Sequence, residues 1–158
     1  MSLILVTTEN KKIDITIDRI IPFKFITAML NIDDDIKNCT DEISFELEED
    51  LEIPLDIKYE TLKKILEFSD YELNNKDILL HDKLLFYNQF FTCSDTLLCD
   101  IMNSADYLQF DYLLEQACEK LSDDILKCDT VDDVKKKFKI TREFTEDEEN
   151  EILDYAKM

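Results

Sequence analysis

The chain of 158 residues contains no glycine. Loops that cradle phosphate, such as GxGxxG and GxxxxGKS/T, need glycine because their backbone N–H groups must approach the anion closely. The strained serine elbow of hydrolases also needs glycine on both sides of its nucleophile. The sequence therefore excludes the glycine-loop nucleotide enzymes and the serine-elbow esterases.

The chain is strongly acidic, with 38 Asp and Glu residues against 18 Lys and Arg residues and a formal net charge of −20. A field of this sign repels nucleic acid and anionic lipid, and it accelerates encounter with basic proteins. A hydrophobic content of 45% is enough for a core, so we expect one domain, or one domain with an appendage. We expect protein partners and no nucleic acid, membrane or small-molecule substrate.

The cysteines are odd in number and scattered: Cys39, Cys93, Cys99, Cys118 and Cys128. With no secretion signal at the N-terminus and no long apolar run, this pattern is typical of a reducing compartment, the cytoplasm, the nucleus or both. The sequence has no CxxC pair, no HExxH motif and a single histidine, His81. We therefore predict no metal, no cofactor and no catalytic residue. An enzyme that pairs His81 with a cysteine is kept as an alternative.

Hydrophobic periodicity predicts an α+β protein. Alternation of apolar and polar residues predicts strands at 3–9, 11–18 and 51–57, with a possible fourth strand at 43–47 inside an acidic loop at 31–50. A 3.6-residue period predicts helices at 20–31, where Pro22 occupies the first turn, and at 58–73, 96–108 and 110–126. A polar connector is expected at about 71–83. Two further helices should begin at Thr130, with Asp133 as the capping partner, and at Thr145, with Glu148.

The C-terminal stretch "KKKFKITREFTEDEENEIL" places Phe138, Ile140 and Phe144 among charges. In a hydrophobic staple Phe144 would pack on the fourth helical position, but that residue is Glu149. The apolar residues after Cys128 are too few for a core of their own. Exposed apolar positions of this kind indicate a binding surface.

The segments "SADYLQFDYLLEQACEKLSDDI" and "TVDDVKKKFKITREFTEDEENEI" resemble the C-terminal half of the Skp adaptor family of SCF (Skp–cullin–F-box) ubiquitin ligases. "ITIDRIIPFKFITAML" and "IPLDIKYETLKKILEF" are similar to the BTB/POZ-type domain of that family. The resemblance implies a three-stranded sheet flanked by helices at 1–127, which faces a cullin. It also implies a two-helix extension at 128–158, which wraps the helix hairpin of an F-box protein. The implied function is that of a non-catalytic adaptor in ubiquitin-dependent protein degradation.

The resemblance also implies site residues. Its F-box-binding positions correspond to Leu98, Cys99, Met102, Leu114, Cys118, Leu121, Ile125, Val134, Phe138, Ile140, Phe144 and Met158. The cullin-binding Asn-Tyr pair of the family corresponds to Asp106 and Tyr107. The charge of Asp106 helps only if the opposing cullin surface is basic. Met158 falls at a tryptophan position of the family, so we expect weaker or more permissive receptor binding.

Two related functions remain open at this stage. One is a pathogen-encoded Skp mimic or decoy that binds F-box proteins and recruits a cullin poorly. The other is an elongin-C-like BTB adaptor, against which the two-helix extension argues. The basic residues Lys135, Lys136, Lys137, Lys139 and Arg142 either meet acidic groups on an F-box protein or form a solvated face that relieves repulsion. We favour the second interpretation.

Overall fold

The computed structural model of the chain describes residues 3–32 and 50–157. The strand predicted at 43–47 and Met158 lie outside these residues. The described part is α+β, as predicted. Its sheet has the strands β1 (Leu3–Val6), β2 (Lys12–Ile15) and β3 (Leu51–Pro54) in the order β2-β1-β3. β1 is antiparallel to β2 and parallel to β3, so the three predicted strands are confirmed.

The helices follow the predicted periodicity, with two differences. They are α1 (Ile17–Ile20), α2 (Lys24–Met29), α3 (Tyr59–Asn74), α4 (Leu80–Phe90), α5 (Asp95–Tyr107), α6 (Asp111–Leu126), α7 (Val131–Lys137) and α8 (Glu146–Lys157). The prediction of a single helix over 20–31 is wrong. The helix breaks there because Pro22 has no N–H to donate and Phe23 has non-helical backbone angles. The connector between α3 and α4 is 75–79, shorter than predicted, because both helices extend into the polar stretch.

Three helices end in a left-handed residue although the chain has no glycine. Asn31, Gln109 and Lys139 have φ angles of 52°, 54° and 53°. In each case the next residue donates its N–H five positions back, as in a Schellman motif: Ile32 to Thr27, Phe110 to Ala105 and Ile140 to Lys135, all at 2.8–2.9 Å. These motifs place an apolar side chain immediately after the helix, and Ile32 and Phe110 are buried there.

The core is built around Phe68 of α3, which has no exposed surface. Its ring is surrounded at centroid distances of 5.2–6.4 Å by rings from α4 and its C-terminal end and from the start of α6: Phe86, Tyr87, Phe90, Phe91, Phe110 and Tyr112. Outside this cluster, Arg19 of α1 donates two hydrogen bonds to Asp70 of α3, at 2.6 and 2.7 Å. The aromatic cluster thus ties α4 and α6 to α3.

Replacing Phe68 by alanine should be severely destabilising. The cavity left inside the aromatic cluster should lower the free energy of unfolding by about 3–5 kcal/mol. The matched control is Glu67→Ala, one residue earlier on the exposed face of α3, which should stay within about 0.5 kcal/mol of the wild type. Urea unfolding followed by circular dichroism measures both changes, and equal effects of the two substitutions would contradict the assigned core.

Both predicted capping boxes are present. Thr130 accepts a hydrogen bond from the backbone N–H of Asp133, and the Asp133 carboxylate accepts one from the N–H of Thr130. At α8 the backbone N–H of Thr145 donates to Glu148 Oε2 at 2.9 Å, and the N–H of Glu148 donates to Thr145 Oγ1 at 3.3 Å. Arg142 adds two hydrogen bonds to the same carboxylate, at 2.9 and 2.5 Å.

Arg142 and the Thr145 backbone should give Glu148 an unusual titration. Their hydrogen bonds lower the pKa of Glu148 from 4.5 to about 2. Because the folded-state pKa is the lower one, the stabilisation of the α8 cap is complete above about pH 4.5 and is lost as the pH falls toward 2. An NMR titration of the carboxyl carbons should show the Glu148 midpoint near 2, and Arg142→Gln should raise it. A Glu148 midpoint above 4 in the wild type would contradict the cap.

Candidate functional site

A cleft of about 430 Å³ lies between α6 and α8. It is lined mainly by apolar side chains: Cys118, Leu121, Ser122, Ile125, Leu126, Glu151, Ile152 and Tyr155. Leu126 is 50% exposed and Tyr155 is 63% exposed, so these walls face solvent. An open apolar cleft between two helices is suited to receiving an apolar ridge from another helix.

The two faces of α6 explain why the cleft exists. Leu113 and Ala117 are completely buried against the core. Cys118, Leu121 and Ile125 follow at helical spacing on a different face, which leads toward α8. Because α8 contributes Ile152 and Tyr155 from the other side, the cleft is an unfilled seam between the core and the terminal helix.

The apolar residues at and after the end of α7 keep exposed surface. Phe138, Ile140 and Phe144 are each partly buried and partly exposed, and none is sealed inside the chain. The Lys135 ammonium lies 5.1 Å from the centre of the Phe144 ring. Phe138 and Cys99 line a second, smaller cavity of about 270 Å³ at the N-terminal end of α5.

The remaining predicted F-box-binding residues lie at different depths. Leu98 and Val134 are buried, with 2% and 5% exposure. Met102 and Leu114 pack against the core with part of their surface exposed. Met158 lies outside the described residues. The structure thus brings Cys118, Leu121 and Ile125 together in one cleft, and Cys99 and Phe138 in another. Contact with a partner stays a prediction for the whole set.

Sequence reasoning missed part of the cleft. Five residues that line it were not assigned to the site: Ser122, Leu126, Glu151, Ile152 and Tyr155. Tyr155 lies three residues after Ile152 and so on the same face of α8. That spacing was a usable signal, whereas the place of the exposed Glu151 in the cleft lining depends on how α8 packs against α6.

Three of the five basic residues at 135–142 have acidic partners among the described residues. Lys135 binds Glu143 at 2.7 Å, and its hydrogen bond lowers the pKa of the Glu143 carboxyl. Lys137 lies 3.6 Å from Asp95, and Arg142 binds Glu148. These ion pairs fit the interpretation that the basic residues relieve local repulsion.

Asp124 is a buried carboxylate behind the cleft. Burial favours its neutral form, but the hydrogen bond and charge of Lys120, with the charges of Lys137 and Lys127, outweigh burial and lower the pKa of Asp124. The Lys120–Asp124 distance is 2.5 Å. This carboxylate is therefore satisfied internally and has no need of a partner.

A second exposed surface lies where α2 meets the end of α5. Asp106 and Tyr107 are exposed, and the Tyr107 ring lies 5.0 Å from the ring of Phe25. The N–H of Phe25 donates to the carbonyl of Leu108 at 3.2 Å, which fixes α2 against α5. Met29, one turn after Phe25 on α2, is 49% exposed. The sequence prediction named Asp106 and Tyr107 and missed the contribution of α2.

Other kinds of site have no support in the described residues. Over 3–32 and 50–157, no group of three or more His, Cys, Asp or Glu side chains is placed to hold a metal ion. In the same residues no helix is long and apolar enough to cross a membrane. Cys93, Cys99, Cys118 and Cys128 are free thiols, and burial raises the pKa of the Cys93 thiol, which disfavours the reactive thiolate.

Comparison with known proteins places these features in a family. The family model described as "Skp1 family, dimerisation domain" matches residues 111–157, which contain α6, α7 and α8. The chain is also similar to the S-phase kinase-associated protein 1 homolog of Tetrahymena thermophila. Identity is 31% over 133 residues, which cover 77% of this chain and 78% of that protein. The chain therefore belongs to the Skp1 family, as the sequence resemblance predicted.

Proposed function

We propose that this chain is a non-catalytic adaptor subunit of an SCF-type ubiquitin ligase, which joins a cullin scaffold to F-box substrate receptors. The observation that carries the proposal is the open cleft between α6 and α8. It lies within the segment that matches the family model, and its apolar walls face solvent. A helix from a partner would bury those walls, which the chain does not bury by itself.

On the F-box side, we assign the direct contacts to the exposed apolar residues. Cys118, Leu121 and Ile125 would meet the partner from α6, and Ile152 and Tyr155 from α8. Phe138, Ile140 and Phe144 would close over the partner, since each keeps exposed surface. Leu98 and Val134 would act from beneath by supporting the walls, because both are buried already.

On the cullin side, Asp106 and Tyr107 would act together with Phe25 and Met29. Tyr107 offers an apolar ring with a polar tip, a residue type that often dominates protein interfaces. This surface belongs to the part at 1–127, whereas α7 and α8 belong to the extension at 128–158. Such a division lets the chain bind two partners at once, as a bridging adaptor must. Binding two partners requires no catalytic group. Free thiols fit a reducing compartment, so we place the adaptor in the cytoplasm, the nucleus or both.

A decoy that binds F-box proteins without recruiting a cullin is the second candidate function. It is favoured by one observation, the exposed carboxylate of Asp106 at the C-terminal end of α5. A carboxylate there is disfavoured by the helix dipole, and no described residue forms an ion pair with it. Against a cullin surface that lacks a basic group, this carboxylate would lose water without gaining a counter-charge, which weakens binding.

Two substitutions should separate the two surfaces. Tyr155→Ala removes an exposed cleft wall and should weaken binding of an F-box helix hairpin by about 2 kcal/mol, leaving binding of a cullin N-terminal domain unchanged. Tyr107→Ala is the matched control, and it should weaken cullin binding only. Tyr107 is 38% exposed and Tyr155 is 63% exposed, and neither is part of the buried core, so both variants should fold. Isothermal titration calorimetry of each variant with each partner measures the four affinities.

The same titrations distinguish the two candidates. A wild-type chain that binds the F-box hairpin but not the cullin domain would be a decoy. A chain that binds neither partner would overturn the adaptor function, and equal losses for both partners in both variants would overturn the assignment of two surfaces.

A further inference from the structure

Glu151 stands apart from the other residues that line the cleft. It is the one charged side chain among them, and it lies next to Ile152 and one helical turn before Tyr155. Within the described part of the chain, no side chain or backbone group forms an ion pair or hydrogen bond with its carboxylate. A partner that covers the cleft would remove water from this carboxylate, which is costly unless the partner supplies a counter-charge.

The C-terminal part of the chain has few unpaired cations that could neutralise the Glu151 carboxylate. Residues 111–157 contain fifteen acidic and eight basic residues. Six of the eight cations already lie within 3.8 Å of a carboxylate: Lys120 and Lys127 at Asp124, Lys135 at Glu143, Lys137 at Asp95, Arg142 at Glu148 and Lys157 at Asp154. None of the cations in the described residues forms an ion pair with Glu151, so a counter-charge for it would come from another molecule.

We propose that the cleft between α6 and α8 selects partner helices that carry a basic residue, preferably arginine, beside their apolar anchor, and that this residue binds Glu151. The inference rests on the proposed function of the cleft and names the chemistry of the receptor helix. Arginine is preferred because its planar guanidinium binds a carboxylate through two hydrogen bonds and stacks on an aromatic face. The exposed ring of Tyr155, one turn from Glu151, offers that face.

A second copy of this chain matches the charge of Glu151 less well than a cationic helix does. An isologous contact between two copies places the same surface patch on both sides. Each copy would then present Glu151 to an acidic surface, within a chain that carries a net charge of −20. Like charges at close range disfavour such a contact, whereas a cationic helix is attracted to it.

The test uses the full chain and a synthetic F-box helix hairpin in three versions, with Arg, Gln or Glu beside its apolar anchor. The wild type should bind the Arg version about fivefold more tightly than the Gln version, and the Glu version more weakly still. Glu151→Lys should reverse this order and favour the Glu version. Glu119→Gln is the control, since it removes an exposed carboxylate from α6 outside the cleft lining and should preserve the order. Fluorescence anisotropy at low and high salt gives the affinities, and the preference should shrink at high salt.

The possible results separate this inference from the proposed function. Equal binding of the three versions by the wild type, or an order unchanged in Glu151→Lys, would overturn the charge selection and leave the F-box cleft intact. No binding of any version would overturn both. The wild type could also sediment as a dimer, with a mass that excess hairpin does not change. This result would show that a second copy fills the cleft, and it would also overturn the proposal.

Discussion

The packing of aromatic rings around Phe68 is the interaction on which the rest of the structure depends. Phe110 and Tyr112 bring the start of α6 into this cluster, and Tyr87 brings α4. The Tyr87 hydroxyl donates to Glu72 Oε1 at 2.6 Å and lies 2.6 Å from the Tyr112 hydroxyl. Burial and these hydrogen bonds raise the pKa of Tyr87, so it stays a neutral donor. With its inner face held this way, α6 has a fixed orientation, and its outer face becomes one wall of the cleft.

The lack of glycine affects the same region. Gln109 and Lys139 adopt left-handed backbone angles at a cost of about 1 kcal/mol each that glycine would avoid. Both residues belong to Schellman motifs, which turn the chain sharply and place an apolar residue next. After α5 that residue is Phe110, which enters the core at the start of α6. After α7 it is Ile140, which stays partly exposed and belongs to the predicted F-box-binding set. The Schellman motif after α5 thus supports the core, and the one after α7 positions a residue of the candidate site.

The sequence predicted those features that depend on local periodicity and local hydrogen bonding. The three strands, the long helices α3, α5 and α6, and both capping boxes follow from spacing alone, because each is formed by residues close in the chain. The break at Pro22 was missed, because a proline in the first turn of one helix and a proline between two short helices have the same sequence pattern. The place of Glu151 in the cleft lining was also missed. It depends on the packing of α8 against α6, a contact between residues about 30 positions apart that periodicity does not specify.

The charge of the chain and the openness of its cleft are linked through α8. The first turn of α8 is acidic, which suits the positive end of a helix, and Arg142 ties that turn to the preceding loop. Lys135 and Arg142 thereby form ion pairs within the terminal segment and hold it in place. The helices stay folded although their apolar side chains are only partly buried, and the cleft keeps an unpaired carboxylate. This arrangement suits an adaptor that accepts helices from other proteins. If its own chain neutralised and filled the cleft, no exposed apolar surface and no unpaired charge would remain for a partner to bind.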